Sequence, residues 1–227
     1  MKYPVAEIFS SLQGEGAYVG AKMLFVRLAG CTVGKPFTKE EKSLLPILPF
    51  NGHEKCTAWN GESFVCDTVY KAQHKLSAEE ICEHLNGERI VCITGGEPLM
   101  HNLEPLVTTI LSKGLRVHFE TSGTWSLTPI MSLGTGKQLW ITVSPKFDYL
   151  EQALIEADEI KVLVERKTFN EKEFVERFEE HMNKVWLQPV NDILKIDQDN
   201  LWYSIKLIDK YPQVRLSVQL HKWLNIQ

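Results

Sequence analysis

Short apolar runs recur along the chain and alternate with amphipathic segments. The runs have the near-continuous hydrophobicity of strands that are buried on both faces. They lie at 23–28 (MLFVRL), 89–94 (RIVCIT), 115–121, 139–143, 159–164, 185–189 and 214–220. Helical patterns separate several of them, at about 77–85, 102–112, 170–183 and 198–211. This alternation predicts an α/β fold of βα units with a mostly parallel sheet.

The pattern fails between residues 32 and 57. This stretch is largely polar at its start, and Pro36, Pro46 and Pro49 interrupt it. We interpret it as an irregular loop insert, and a long loop inside a compact domain is often functional. Before it, Ile8 and Phe9 indicate a short strand, and the segment 14–16 (GEG) indicates a turn.

Composition restricts the class of protein. The chain has 227 residues, of which 44% are hydrophobic and 24% charged, so we expect a single domain spanning 1–227. A net charge of −4 argues against nucleic acid as the main partner. The sequence shows no apolar run long enough to span a membrane and no signal-peptide pattern at its start, so we expect a cytoplasmic protein.

Three of the five cysteines bracket the insert. Cys31 and Cys56 are separated by 24 residues, and Cys56 and Cys66 by 9. An odd number does not suit a disulfide scaffold, and the spacing leaves three hypotheses open. The thiolates could bind zinc together with His53, hold a [4Fe–4S] cluster with one open iron, or be separate buried thiols. Cys82 and Cys92 fall in regular elements, where we expect them to serve packing.

Polar or glycine-rich residues follow almost every predicted strand. Because ligands gather at the carboxyl ends of parallel strands, these residues together predict a ligand-binding face. Arg27 also interrupts an apolar strand, so it is expected to pair internally or to face an anionic ligand. The segments concerned are 27–31, 94–97, 120–123, 144–146, Lys161, Gln188 and His221.

A cysteine-rich loop after the first such strand and the motif GGEP after the second resemble the radical S-adenosylmethionine superfamily. Several further motifs narrow the resemblance to the 7-carboxy-7-deazaguanine synthase family. They are FSSLQGEG (9–16), FVRLAGC (25–31), CDT (66–68), ITGGEP (93–98), ETSGT (120–124), VSPK (143–146), LQPV (187–190) and LSVQLHKWLNI (216–226). The chain departs from the superfamily's compact cysteine loop, because its spacing is Cys-x₂₄-Cys-x₉-Cys.

The resemblance implies a modified partial (β/α)₆ radical-SAM barrel with mostly parallel strands and an irregular cluster-binding insert at about 31–68. It also implies conversion of 6-carboxy-5,6,7,8-tetrahydropterin to 7-carboxy-7-deazaguanine with release of ammonia, in 7-deazapurine (queuosine-type) biosynthesis. The implied cofactors are a [4Fe–4S] cluster, S-adenosylmethionine and Mg²⁺. The implied partners are a reducing protein such as flavodoxin or ferredoxin and a second copy of the chain.

Site residues follow from the resemblance position by position. Cys31, Cys56 and Cys66 would hold the cluster, and Thr68 would contact Mg²⁺. The implied cofactor-binding residues are Gly95, Gly96, Glu97, Ser122, Ser144, Pro145, Lys146 and Gln188. The implied substrate-binding residues are Leu12, Gln13, Gly14, Glu15, Arg27, Thr94, Glu120, His221 and Gln227, the last through its terminal carboxylate. Two alternatives stay open: a non-catalytic zinc-stabilised binding module that uses His53 as fourth ligand, and a related radical enzyme with another substrate.

Overall fold

The computed structural model describes residues 1–36, 54–66, 68, 71–134, 136–191, 195–224 and 226. His53, Gln227 and much of the predicted cluster-binding insert lie outside these ranges.

The described elements alternate between strands and helices. The strands are β1 (Tyr3–Leu12), β2 (Lys22–Leu28), β3 (Lys35–Pro36), β4 (Glu54–Thr57), β5 (Ser63–Val65), β6 (His74–Leu76), β7 (Ile90–Gly95), β8 (Arg116–Thr121), β9 (Leu139–Val143), β10 (Glu159–Val164), β11 (Val185–Pro189) and β12 (Arg215–Leu216). The α-helices are α1 (Ala78–Cys82), α2 (Glu104–Ser112), α3 (Thr128–Met131), α4 (Glu151–Glu156), α5 (Glu171–Phe178), α6 (Gln198–Lys210) and α7 (Leu220–Leu224). Short 3₁₀ helices occupy Gly16–Tyr18, Pro98–Met100, Gly136–Gln138 and Glu179–Lys184.

One sheet organises the molecule. Its strand order is β12-β11-β10-β9-β8-β7-β2-β1-β6. All neighbours from β2 to β12 are parallel, whereas β1 runs antiparallel to both β2 and β6. The predicted mostly parallel α/β sheet is confirmed. The sheet is not closed on itself, and β12 and β6 are its two edge strands, as expected of a partial barrel.

The two faces of this sheet differ in chemistry. On one face, Val26, Ile93 and Val162 pack into the main core with helical residues such as Ile110 and Phe174. The period-2 alternation of strands places the intervening residues on the other face. That face begins with a small apolar cluster of Met23, Ile90 and Cys92. Nearer the carboxyl ends of the strands it becomes polar, and this polar part forms the site described below.

The amino-terminal ends of two helices follow from their sequences. Ser77 caps α1 by accepting a hydrogen bond from the backbone of Glu80, whose side chain accepts one in return, and this capping box starts the helix where its pattern predicts. Asn170 caps α5 in a similar way by accepting from the backbone of Glu173.

Two predictions near the start of the chain underestimated the extent of β-structure. The first strand extends over ten residues, Tyr3–Leu12, because β2 and β6 both offer it hydrogen-bonding partners. The insert was predicted to be irregular, yet β3, β4 and β5 form a small antiparallel sheet within it.

The predicted last strand at 214–220 was wrong in its extent. Only Arg215–Leu216 pair with β11, and Leu220–Leu224 form α7. The backbone N–H of Leu220 donates to the carbonyl of Gly14 instead of to a neighbouring strand. The apolar side chains of Trp223, Leu224 and Ile226, near the end of the chain, are 55%, 51% and 39% exposed.

Candidate active site

The centre of the polar face is a buried ammonium group between two carboxylates. The Nζ atom of Lys161 lies 2.5 Å from Oε2 of Glu15 and 2.7 Å from Oε2 of Glu120. Only 3% of the Lys161 side chain is exposed. Lys161 comes from β10, Glu120 from β8, and Glu15 from the turn after β1, so three distant segments meet here.

Three glutamine side chains complete this network. Gln13 donates to Oε1 of Glu120 at 3.0 Å. Gln188 and Gln219 donate to Oε1 of Glu15 at 3.1 and 3.0 Å. Ser217 links the network to the backbone, because it donates to Gln188 and accepts from the N–H of Gly16. The structure thus brings together four residues that the motifs imply, namely Gln13, Glu15, Glu120 and Gln188.

Burial and charge act in opposite directions on these groups. Burial disfavours ionisation of Glu15, but the adjacent Lys161 ammonium outweighs it and lowers the pKa of Glu15 well below its usual range. The carboxylates likewise raise the pKa of Lys161 despite its burial. Glu159, on the same strand as Lys161, behaves differently, because burial dominates and raises its pKa.

The turn after β1 and helix α7 fit closely against each other. A Cβ atom on Gly14 would lie 2.2 Å from Nδ1 of His221, so only glycine leaves room for this ring. His221 was predicted to end a strand; it lies instead in α7. Leu12 ends β1, and the backbone of Gln13 bonds to Ala21 and Gly20, so the turn is fixed from both sides.

The glycine pair after β7 allows a close approach to the segment that follows β2. A Cβ atom on Gly95 would lie 2.2 Å from the carbonyl oxygen of Leu28, and one on Gly96 would lie 2.2 Å from that of Gly30 and 2.6 Å from Cβ of Cys31. The backbone N–H of Glu97 donates to Gly30 at 3.0 Å. The GGE motif therefore lies directly against Cys31.

Glu97 has a fully buried side chain whose oxygens accept hydrogen bonds from within the protein. They accept from the hydroxyl of Thr121, from the backbone and hydroxyl of Ser122, and from the backbone of Leu99. Its carboxylate therefore ties the loop after β7 to the end of β8. This arrangement places the hydroxyl of Ser122 next to that of Thr124, at 2.8 Å.

The loop after β9 contacts both the end of β8 and the small sheet of the insert. The N–H of Ser144 donates to Thr121, and the N–H of Lys146 donates to Ser122. The Lys146 ammonium donates to the carbonyl of Ser144 at 2.9 Å and lies 5.9 Å from the ring centroid of Phe64. Pro145, between them, is buried. The VSPK motif thus connects the end of β8 to the small sheet of the insert.

Arg27 faces the same side of the sheet as Thr94, its register partner on β7. Its Nε donates to Glu7 at 2.9 Å, and its Nη1 lies 3.4 Å from the hydroxyl of Thr68. The side chain is 22% exposed. Arg27 is therefore anchored by one carboxylate while part of its guanidinium stays accessible.

The three insert cysteines lie near this end of the sheet in different settings. The sulfur of Cys31 accepts from the backbone N–H groups of Val33 and Gly34, each at 3.4 Å. Cys56 is buried on β4 opposite Phe64, and Cys66 directly follows β5. All five cysteines belong to the described residues, and none of them is in a disulfide.

Within the described ranges, no group of three or more His, Cys, Asp or Glu side chains is close enough to hold a metal ion. The assignment of Cys31, Cys56 and Cys66 as cluster ligands therefore stays a prediction. Cys82 and Cys92 are buried in α1 and β7, and burial raises the pKa of the Cys92 thiol well above its usual value.

Sequence reasoning missed part of the network. Lys161 was noted only as a polar residue on the rim, although a charge inside the apolar run EIKVLV is the same signal that singled out Arg27. Ser217 and Gln219 lie within the motif at 216–226, but the motif implied no role for them, and Gln219 is 204 residues away from Glu15 in sequence. The described residues contain no helix that is long and apolar enough to cross a membrane.

Comparison with known proteins supplies the family. No family model matches the chain. A 7-carboxy-7-deazaguanine synthase from Synechocystis sp. is 35% identical over 230 residues, which cover 100% of this chain and 95% of the relative. The enzyme of that name from Escherichia coli K12 is 33% identical over 251 residues, covering 100% of both chains. A crystal structure of QueE from Escherichia coli matches with a TM-score of 0.64 at 26% identity, covering 97% of this chain and 95% of that one. The chain therefore belongs to the 7-carboxy-7-deazaguanine synthase family, as its motifs predict.

Proposed function

We propose that this protein is a radical S-adenosylmethionine enzyme that converts 6-carboxy-5,6,7,8-tetrahydropterin to 7-carboxy-7-deazaguanine and ammonia, in 7-deazapurine biosynthesis. Similarity over the full chain to enzymes of that name supports the proposal. The structural observation that carries it is the network around Lys161, on which Gln13, Glu15, Glu120 and Gln188 converge from three segments.

The donor set suits an iron–sulfur cluster. Soft thiolates favour such clusters, and backbone N–H groups directed at a sulfur are among the features that tune them. Cys31 has two such donors, and the side-chain-free Gly96 lies beside it. Cys31, Cys56 and Cys66 would hold the cluster. When bound, the cluster and S-adenosylmethionine supply a radical that removes hydrogen from the substrate.

Cofactor binding would use the strand ends around Cys31. The backbone of Gly95, Gly96 and Glu97 would contact S-adenosylmethionine, with Ser122, Ser144, Pro145, Lys146 and Gln188 as further contacts. Thr68 would offer a hydroxyl oxygen to Mg²⁺, a cation that prefers oxygen ligands. Because Arg27 lies within reach of Thr68, the cation and the guanidinium would bind neighbouring parts of the substrate.

Substrate recognition would use two charged groups of opposite sign. The accessible part of Arg27 suits the substrate carboxylate, because guanidinium presents parallel N–H donors. Glu120 suits the N–H donors of the amino-pyrimidine ring. Thr94 lies beside Arg27 on β7, and Leu12, Gln13, Gly14 and His221 would line the rest of the site. These groups orient the pterin and exclude water while the reaction proceeds.

The cellular setting belongs to the proposal as well. An electron-transfer protein such as flavodoxin or ferredoxin would reduce the cluster, and two copies of the chain would form a homodimer. A cytoplasmic location would keep the thiolates reduced. Neither nucleic acid nor membrane is proposed as a partner, in keeping with the net charge of −4.

Anaerobic turnover tests the proposal. Reconstituted protein is incubated with S-adenosylmethionine, Mg²⁺, a reductant and the tetrahydropterin. The products are separated by chromatography and identified by mass spectrometry. We expect 7-carboxy-7-deazaguanine to accumulate. A cluster-loaded protein that consumes S-adenosylmethionine but never yields this product from the pterin would contradict the proposed substrate.

A further inference from the structure

Lys161 is a buried cation that the motifs do not assign. It interrupts the apolar strand β10, and its side chain is only 3% exposed. A buried ammonium is too costly unless carboxylates compensate it, and Glu15 and Glu120 both lie within hydrogen-bond distance of its Nζ. Among the residues that the structure describes, Lys161 is thus the hydrogen-bond donor that the two carboxylates share.

The two carboxylates differ in how many acceptor positions are occupied. An ionised carboxylate offers roughly four lone-pair positions. Glu15 accepts from Lys161, Gln188 and Gln219, whereas Glu120 accepts from Lys161 and Gln13. Among the described residues, Glu120 therefore keeps about two open positions, which is the number that the paired N–H donors of an amino-pyrimidine need. Glu120 is also the more exposed side chain, at 23% against 15%.

We propose that Lys161 is a positioning residue that fixes the Glu120 carboxylate for recognition of the amino-pyrimidine ring, while Glu15 balances the charge of Lys161 and does not itself bind substrate. This rests on the proposed function, and it gives Glu15 a different part from the one that its motif implies. Of the two carboxylates, Glu120 alone then binds the amino-pyrimidine ring. Lys161 acts on the substrate only through Glu120.

The surrounding charges are consistent with one cation serving two carboxylates. Burial raises the pKa of the nearby Glu159, whose carboxylate accepts from the backbone N–H of Ala17. Burial acts to raise the pKa of Glu15, and Lys161 is the main group that lowers it, with smaller contributions from Gln219 and His221. Without Lys161, burial would dominate, and Glu15 would bind a proton more readily. Within the described residues, other titratable or charged groups around the network are Arg27 on β2, Cys92 on β7, His118 on β8, His221 on α7 and Tyr18.

The test measures binding of 6-carboxypterin, an unreactive pterin with the same amino-pyrimidine ring and carboxylate, to the cluster-loaded protein with S-adenosylmethionine. Calorimetric Kd values are compared from mildly acidic to mildly alkaline pH for wild type, Lys161→Met, Lys161→Arg and Glu15→Gln. Lys210→Met is the control, because Lys210 pairs with Glu171 on the exposed surface.

We expect Lys161→Met to weaken binding about tenfold or more, as loss of charge-assisted hydrogen bonds does. Its pH profile should also differ from that of wild type, because the Glu15 carboxyl no longer has the Lys161 ammonium beside it. Lys161→Arg should keep the wild-type pH profile, and Lys210→Met should bind like wild type. Glu15→Gln should bind within about threefold of wild type, because it keeps Glu120 and Lys161 in place.

Unchanged Kd values and pH profile in a folded Lys161→Met protein would overturn the inference, and so would a loss in Glu15→Gln as large as in a Glu120→Gln protein. If Lys161→Met does not fold, the double variant Lys161→Met/Glu15→Gln removes one charge of each sign, and wild-type affinity there would overturn it equally. Wild-type protein that binds 6-carboxypterin but makes no 7-carboxy-7-deazaguanine would instead count against the proposed function.

Discussion

The network around Lys161 and the region of the three insert cysteines are built differently. The network takes its side chains from β8, β10, β11 and the turns packed on them, and its charged groups already have partners at hydrogen-bond distance. The cysteines stand at the end of β2 and on a small sheet, and the described residues contain no metal-holding group. The network proposed to recognise the substrate is thus assembled by the fold itself.

The difference has a physical reason. A buried lysine or glutamate must be paired as the chain folds, because its desolvation is too costly otherwise. Thiolates that bind a cluster gain their partner only when the metal arrives, and metal binding is then coupled to the arrangement of the ligands. We therefore expect changes at the cysteines to act on cofactor loading and changes at the network to act on substrate affinity.

The largest expected effect is loss of the cluster. Cys31→Ala, Cys56→Ala and Cys66→Ala should each abolish iron loading. Three thiolates would bind three of the four irons, and each substitution would leave the cluster with only two protein ligands. The measurement is iron content and visible absorbance after anaerobic reconstitution. Cys82→Ala and Cys92→Ala are matched controls: they remove buried thiols, so stability should fall while iron loading persists. Full iron content without Cys56 would refute the ligand assignment.

The next effect concerns the contact between Gly96 and Cys31. In Gly96→Ala the new methyl group would lie 2.2 Å from a backbone oxygen, which has no room to move. We expect a loss of about 1–3 kcal/mol in unfolding free energy and weaker S-adenosylmethionine binding. Gly134→Ala is the control, because its methyl group would meet only leucine side chains, the nearest at 3.0 Å. Equal cofactor affinity in both variants would speak against the role of Gly96.

Arg27→Lys separates the two regions most cleanly. The substitution keeps the charge but loses the planar pair of donors, so substrate Kd should rise about tenfold. Cleavage of S-adenosylmethionine without substrate should continue, and comparing its rate with turnover measures the uncoupling. An equal fall in cofactor binding would place Arg27 in the cofactor region.

The last effect is a pH dependence beneath the network, and it concerns stability and not substrate or cofactor binding. Burial and the nearby Arg116 lower the pKa of His118 to about 3, whereas an unfolded histidine titrates near about 6.5. Between these values only the unfolded chain binds the proton, so stability present above about pH 6.5 is lost as pH falls, by at most about 1.4 kcal/mol per pH unit.

Urea unfolding at a series of pH values measures this loss. His118→Phe keeps a ring against Tyr18 and Trp140 and should flatten the dependence between the two pKa values. The exposed His84→Gln should leave it unchanged. A His118→Phe protein with the wild-type slope would show that another group is responsible.

Parts of this molecule were predictable because their signals are local. The strands β10 and β11 match their predicted bounds, because each is a short and mostly apolar run. Arg27 was found because a charge in such a run demands a partner. The family motifs also implied Gln13, Glu15, Glu120 and Gln188 as site residues.

Other parts depend on distant contacts that no local pattern contains. The end of the chain was expected to be a strand, but Leu220 bonds to Gly14 and a helix begins there. Gln219 joins the site only because Glu15 lies opposite it. Cysteine spacings of 24 and 9 residues do not determine how three sulfur atoms are arranged, so the ligand set could be named but not its geometry.

The metal content of the wild-type protein tests the account most directly. The chain is purified anaerobically, and iron, acid-labile sulfide and zinc are measured per chain in the same sample. The account predicts a brown protein with iron and sulfide in the equal proportions of a [4Fe–4S] cluster and no stoichiometric zinc. A colourless protein that carries one zinc ion per chain and cannot be reconstituted with iron would contradict it.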